Sequence, residues 1–464
     1  MQRTGMNIKN GTLVLPEGCR RGSIAVRDGK IVQIAWGGGV LPAAGETVDA
    51  KGLLIFPGVI DSHTHIRGGA FSYREDFYTG SCAAAAGGVT TFLEMPGSAL
   101  PASTPQHFKE KLADMRAHIG VDAALYGGAG YDNLEQIPLL AQAGAVAFKT
   151  FLMPPVPGRE REFYGMCAQD DGALCAVMEA VARTGLTLTL HCEDSALVER
   201  ATAQVRRRGG ARVQDYCDAR PPEAEITAVR RAIACAERTH CRINIAHVST
   251  PEAARMITEA RTRGVDAAGE TCAQYLTFDR AQMDAFGPYA RMKPPFRDRA
   301  RVDALVRAYA DGMLSYTGSD HAPFTPEEKT GGGSIWDSFD GLAGIEMTLP
   351  LLLELAEAGA LNYETIAANT AEHTAQRFGL TGKGRLQEGC DADLVLVRRL
   401  EQPRAFRRTQ LHGKWKESGC IYEGVKLHYT IEGMLRRGEM VYSHGAVSMA
   451  PGSGKLLKTG GEQL

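Results

Sequence analysis

Leu53-Leu54-Ile55-Phe56-Pro57-Gly58-Val59-Ile60-Asp61-Ser62-His63-Thr64-His65 is an apolar run that closes on two histidines. Residues two apart on an extended strand share a face, so both imidazoles leave the strand's C-terminal end pointing one way. That spacing suits a single metal ion. Two structural histidines, each hydrogen-bonded at a strand end, would leave the same trace, so the stretch has to be read with the rest of the chain.

Four more apolar segments end in a residue able to hold or bridge a metal. Ala145-Val146-Ala147-Phe148 runs into Lys149, and Leu186-Thr187-Leu188-Thr189-Leu190 runs into His191. Ile243-Asn244-Ile245-Ala246 runs into His247, and residues 314–319 run into Asp320-His321. Each taken alone reads better as a core residue. Five in order do not. Three further runs, 89–95, 122–127 and 265–270, bring the number of expected strands to eight, with helical patterns between them over 104–119, 172–184 and 222–239. Alternating strands and helices with near-continuous apolar strands imply a parallel sheet covered by helices, and eight such units close into a (β/α)8 TIM barrel. Such a barrel gathers the strand C-termini, and with them these polar residues, at one face.

The ends of the chain read differently. Residues 12–15, 22–26 and 30–34 are short strands separated by Gly, Pro and Asp turns, and 391–397 is another. The expected organisation is α/β. Residues 1–52 and 381–447, from the two termini, are set apart as a small second domain, 53–380 form the barrel, and the Gly- and Lys-rich residues 448–464 form a flexible tail.

The balance of 52 basic and 54 acidic residues offers no nucleic-acid footprint. No apolar stretch reaches membrane-spanning length and the first ten residues lack a signal peptide's apolar core, so a cytoplasmic enzyme with no membrane partner is expected. The eleven cysteines show no Cys-x-x-Cys spacing; Cys192 and Cys272 are read as core thiols.

The motifs Pro57-Gly58-Val59-Ile60-Asp61-Ser62-His63-Thr64-His65, Ala86-Gly87-Gly88-Val89-Thr90-Thr91, Phe148-Lys149, His191-Cys192-Glu193-Asp194, Ala246-His247-Val248-Ser249 and Gly318-Ser319-Asp320-His321-Ala322-Pro323 resemble those of the amidohydrolase superfamily. The resemblance is to its cyclic amidases: dihydroorotases, allantoinases, hydantoinases and dihydropyrimidinases. It implies that the terminal strands of residues 1–52 and 381–447 form a small β-sandwich beside the TIM barrel. It implies a hydrolase of non-peptide C–N bonds in a small cyclic amide or ureide, forming a homodimer or homotetramer. It also implies two divalent metal ions, zinc by default, bridged by a carboxylated lysine at Lys149. His63, His65 and Asp320 would hold the more buried ion, and His191 and His247 the more exposed one. A metal-bridging hydroxide would attack the ring carbonyl while Asp320 carries the proton to the departing nitrogen.

Substrate choice divides the branch. Arg67 is similar to the dihydroorotase arginine that grips a substrate carboxylate, a task suited to a bidentate guanidinium. The asparagine that usually accompanies it is replaced, since Met95-Pro96 is followed by Gly97-Ser98. Lys293, ahead of Pro294-Pro295-Phe296-Arg297, adds a second cation. Arg67, Lys293 and Asp340 are therefore the candidate substrate-binding residues, and the two cations favour an acidic, dihydroorotase-like substrate. A neutral ring, as in hydantoinases, dihydropyrimidinases or allantoinases, is the alternative. A non-catalytic assembly protein of the dihydropyrimidinase-like kind would be expected to lack the metal residues, which this chain keeps.

Overall fold

The computed structural model describes residues 5–460 and 463–464. The opening run proves to be two strands. β1 (Met6–Leu15), β2 (Gly18–Arg27), β3 (Lys30–Trp36), β4 (Glu46–Asp49) and β5 (Leu53–Pro57) belong to one sheet, and β6 (Val59–Thr64) starts the barrel. The boundary therefore lies at Gly58, not at residue 52. Glycine is required there, because a Cβ would lie 2.3 Å from Thr90 Oγ1 and 2.8 Å from Asp393 Cβ. Thr90 belongs to the barrel and Asp393 to the C-terminal part of the chain, so the barrel and the terminal sheet are in close contact at this residue. Gly58→Ala should cost about 1–3 kcal/mol by overpacking, measurable as a lower denaturation midpoint; an unchanged midpoint would mean that the junction can yield.

The barrel strands follow the expected order: β6, β7 (Val89–Glu94), β8 (Asp122–Leu125), β9 (Gly127–Gly128), β10 (Phe148–Phe151), β11 (Leu188–His191), β12 (Ile243–Ile245), β13 (Ala267–Thr271) and β14 (Tyr316–Thr317). All neighbouring pairs are parallel. β8 and β9 are one strand broken at Tyr126; Val146 N donates to Leu125 O and Gly127 N to Ala147 O, which joins the two halves of the sheet. The opposite seam closes where Thr64 bridges His321 and His65 N donates to His321 O at 2.7 Å. Every residue of β6 and β7 is buried, as expected for strands covered on both faces.

Helices fall where their capping signals lie. Thr104 caps Pro105–His118 with Pro at the first helical position, and Asp170 accepts from Ala173 N at the start of Asp171–Ala182. Pro222–Thr239 presents Ala228, Val229, Ala232, Ile233 and Ala236 to the barrel at helical spacing.

The terminal sheet draws on both ends of the chain, as expected. β15 (Leu394–Ala405), β16 (Lys426–Arg436), β17 (Glu439–Ser443) and β18 (Ala446–Val447) complete it, in the order β18-β17-β16-β15-β5-β1-β2-β3 with β4 beside β1. Ile8, Leu13, Ile24, Ile31, Ile55, Leu394 and Leu396 form its core.

The tail expected to be flexible is packed instead. Met449, Leu456 and Leu457 are buried, and Leu456 pairs in parallel with Ala123 of β8. Beneath that pairing Lys455 N donates to Asp122 Oδ1 at 2.9 Å. Asp122 also meets Lys383 at 2.9 Å and Arg437. Three apolar side chains and a backbone pairing outweigh the Gly-rich composition that suggested disorder.

Candidate metal centre and substrate pocket

The strand ends place all nine predicted residues around one pocket: His63, His65, Arg67, Lys149, His191, His247, Lys293, Asp320 and Asp340. His63 Nε2 lies 3.2 Å from His65 Nε2, and both nitrogens lie 3.3 Å from Asp320 Oδ1. On the other side of the floor His191 Nδ1 lies 3.1 Å from His247 Nε2. The rings of His63 and His247 are 5.5 Å apart, so the two groups share one floor. Arg67, His247 and Asp320 all take left-handed backbone conformations, with φ of 72°, 41° and 48°. Such strained non-glycine residues collect where a site dictates side-chain direction.

The hydrogen bonds behind the histidines select their tautomers. His63 Nδ1 donates to Glu270 Oε1 at 2.7 Å, which leaves the Nε2 lone pair facing the floor. His191 Nε2 donates to Glu193 Oε2 at 3.0 Å, leaving Nδ1 free. Glu193 is held by Arg220 at 2.5 Å, and this guanidinium keeps its carboxyl well below the usual carboxylate range. His247 Nδ1 is buried with no partner. Burial lowers the pKa of His63, His65, His191 and His247, so all four are neutral donors. Two imidazole pairs with nitrogens about 3 Å apart, one of them against a carboxylate, gather the donors that a cation would use. The donor set fits divalent metal.

Lys149 is buried, and desolvation lowers its pKa to about 8, partly opposed by Asp320 and Glu270. A neutral amine is therefore accessible near neutral pH, as carboxylation requires. Its Nζ lies 4.9 Å over the Phe151 ring.

The substrate-facing cations are unequal. Lys293 pairs with Asp340 at 2.7 Å, and Asp340 also accepts from Arg291 Nε and Tyr216 OH, each at 2.6 Å. Lys293 is thus tied to the wall through Asp340, a carboxylate that it shares with Arg291. Arg159 pairs with Glu162 at 2.6 Å and stacks over Phe339. Arg67 meets a carboxylate only through its backbone N–H, which donates to Glu94 Oε1 at 2.8 Å. Its guanidinium donates once, from NH1 to Pro323 O at 3.0 Å, and stacks over Phe324 at 4.5 Å. Burial lowers its pKa to about 9, which leaves it charged at neutral pH.

Several site residues escaped the sequence reading. Glu270 closes a run recognised as a strand, and its carboxylate proves to orient His63 and to accept from Ser62 Oγ at 2.7 Å. Glu193 lies inside a quoted motif, but its partner Arg220 is 27 residues away and had no local signal. Arg159 and Glu162 come from a loop without periodicity. Lys111 was read only as part of a helix; it donates to Glu94 at 2.9 Å and to Met95 O and Gly97 O, anchoring the loop that carries Pro96, Gly97 and Ser98 into the pocket. His321, adjacent to Asp320, turns away from the pocket to stack on Trp415. Cys192 and Cys272 are buried with their thiol pKa raised, as core residues should be.

Comparison with known proteins agrees with this geometry. The chain is 35% identical over 452 residues to an allantoinase of Bacillus velezensis, covering 97% of each chain. It is 35% identical to one of Deinococcus radiodurans, over 97% of this chain and 98% of the relative. Among solved structures, the L-hydantoinase (dihydropyrimidinase) of Arthrobacter aurescens superposes with a TM-score of 0.92 at 30% identity, over 98% of this chain and 100% of that one. Residues 54–416 match the amidohydrolase family, so the barrel, its neutral histidine cage and the sheet beside it mark this chain as a member of that family.

Proposed function

We propose that the protein opens the amide ring of a cyclic ureide of the allantoin type. The observation that carries this is the pocket: a floor of neutral metal donors beneath walls in which Lys293 and Arg159 are held by carboxylates and the Arg67 guanidinium is left to meet the ring. The allantoinase relatives support the same choice. A dihydroorotase-like acidic substrate is weaker, because the asparagine that accompanies Arg67 in dihydroorotases is replaced by Gly97-Ser98 and Lys293 is held against the wall by Asp340.

His63, His65 and Asp320 would hold one divalent ion, and His191 and His247 a second, with a carboxylated Lys149 between them; zinc is the default for this set. Such ions activate water and polarise a carbonyl. The carboxylate of Asp320 sits at the edge of the floor, where it can receive a proton from the attacking water and return it to the departing ring nitrogen. Water adds to the carbonyl carbon, the C–N bond breaks, and the acyl carbon leaves as a carboxylate. Arg67 orients the ring by donating to its carbonyl or substituent oxygens, and Phe151 and Phe163 keep bulk water from the floor. A homodimer or homotetramer and a cytoplasmic setting belong to the same proposal; no described helix is long and apolar enough to cross a membrane.

Turnover of allantoin, hydantoin, dihydrouracil and dihydroorotate by the metal-loaded protein tests the reading. Allantoin should be opened with the highest kcat/KM; dihydroorotate as the best substrate would overturn it. Arg67→Met removes hydrogen bonds from a charged donor, worth about 1.5–3 kcal/mol, so kcat/KM for allantoin should fall by about tenfold or more. Unsubstituted hydantoin should lose less, and an equal loss on both rings would assign Arg67 to ring orientation alone.

A further inference from the structure

The N-terminal ends of the barrel strands, opposite the metal residues, open onto a second cleft. Arg242, Arg261, Arg377, Asp266 and Tyr316 line it. Arg242 precedes β12, Asp266 precedes β13, and Tyr316 begins β14. Three guanidinium groups therefore surround one carboxylate.

Asp266 is shared. Its Oδ2 accepts from Arg242 Nε at 2.8 Å, and its Oδ1 from Arg377 NH1. Arg261 meets no carboxylate; it donates to Thr258 Oγ1 at 2.9 Å, Met313 O at 2.8 Å, Gly312 O at 3.3 Å and Ser315 Oγ at 3.4 Å. Two positive charges are left without a carboxylate along a concave, solvent-open cleft, where a multivalent anion can meet both. Two buried polar atoms of the lining are also without partners. One is Nε of Arg377, whose side chain is only 10% exposed, and the other is the hydroxyl of the fully buried Tyr316. Arg377 is fixed in place, because its NH2 donates to Ile243 O at 2.6 Å.

We infer that this cleft is a binding site for a small dianion bearing several acceptor oxygens, of the size of inorganic phosphate or a short dicarboxylate. Two charges match the excess. Guanidinium groups favour such ligands because their N–H donors meet two oxygens at once. The inference is independent of the proposed reaction, since none of these residues faces the metal floor.

The test uses the full-length, metal-loaded protein with inorganic phosphate as probe and chloride at matched ionic strength as control. Phosphate should raise Tm in a saturable manner. Arg242→Gln, at a side chain 40% exposed and so tolerant of change, and Arg261→Gln should each shift the half-saturating concentration upward by about tenfold. Both variants should keep the parental kcat/KM, and the same inhibition of turnover by phosphate, which separates this cleft from the metal pocket. A phosphate response in either variant equal to that of the parent, or no response beyond chloride in the parent, would overturn the site.

Discussion

Lys149→Ala should lower kcat by about 1,000-fold or more, since a bridging ligand that fixes two ions supports several kcal/mol of transition-state stabilisation and each 1.36 kcal/mol is tenfold in rate. The parent protein should contain close to two divalent ions per chain by elemental analysis, and the variant fewer. The side chain is buried on the pocket floor and has no structural ion pair, so the fold should survive and circular dichroism should match the parent. Short carboxylic acids added to the variant should restore part of the rate by supplying the missing anion. A variant that keeps parental kcat without any added acid would exclude the carbamate, and an active parent with a single ion would exclude the binuclear arrangement.

Asp320→Asn should lower kcat by at least about 100-fold, the lower range for loss of a positioned proton carrier. Asparagine keeps the size and one oxygen, but at neutral pH its amide cannot accept and return a proton. The left-handed backbone at this position, φ 48°, is one that asparagine tolerates well. A loss of rate can thus be read as chemistry rather than misfolding. Metal content separates the two roles of the carboxylate. If both ions remain and kcat falls, the proton-transfer role is established; parental turnover with both ions bound would assign the proton to another group.

Much of this was legible from local pattern. Strand residues that must be buried on both faces are apolar, so β6 to β14 announced themselves, and the proposed metal residues stood out as the polar terminators of those runs. The division of residues 53–64 into two strands was not legible, because both halves are apolar and only the close approach of Thr90 and Asp393 to Gly58 shows why the chain changes sheets there. The tail was misread for the converse reason. Its composition is that of a linker, and only long-range contact with β8 reveals what Met449, Leu456 and Leu457 are for. The charge state of the pocket lay beyond the sequence as well. Lys293 and Asp340 are 47 residues apart, and their pairing, with Arg291 on the same carboxylate, exists only in the fold.

The shared terminal sheet also sets a timetable for synthesis. β5 exposes one edge that only β15 can cover, and Leu54 finds its partner Val397 more than 300 residues later. At about 5–20 residues per second, that edge waits on the order of 20–70 s at the ribosome, through the whole emergence of the barrel. An unpaired, apolar strand edge is a template for aggregation. Yield in a heterologous host should therefore respond to translation speed and chaperone supply more than to the stability of the finished enzyme.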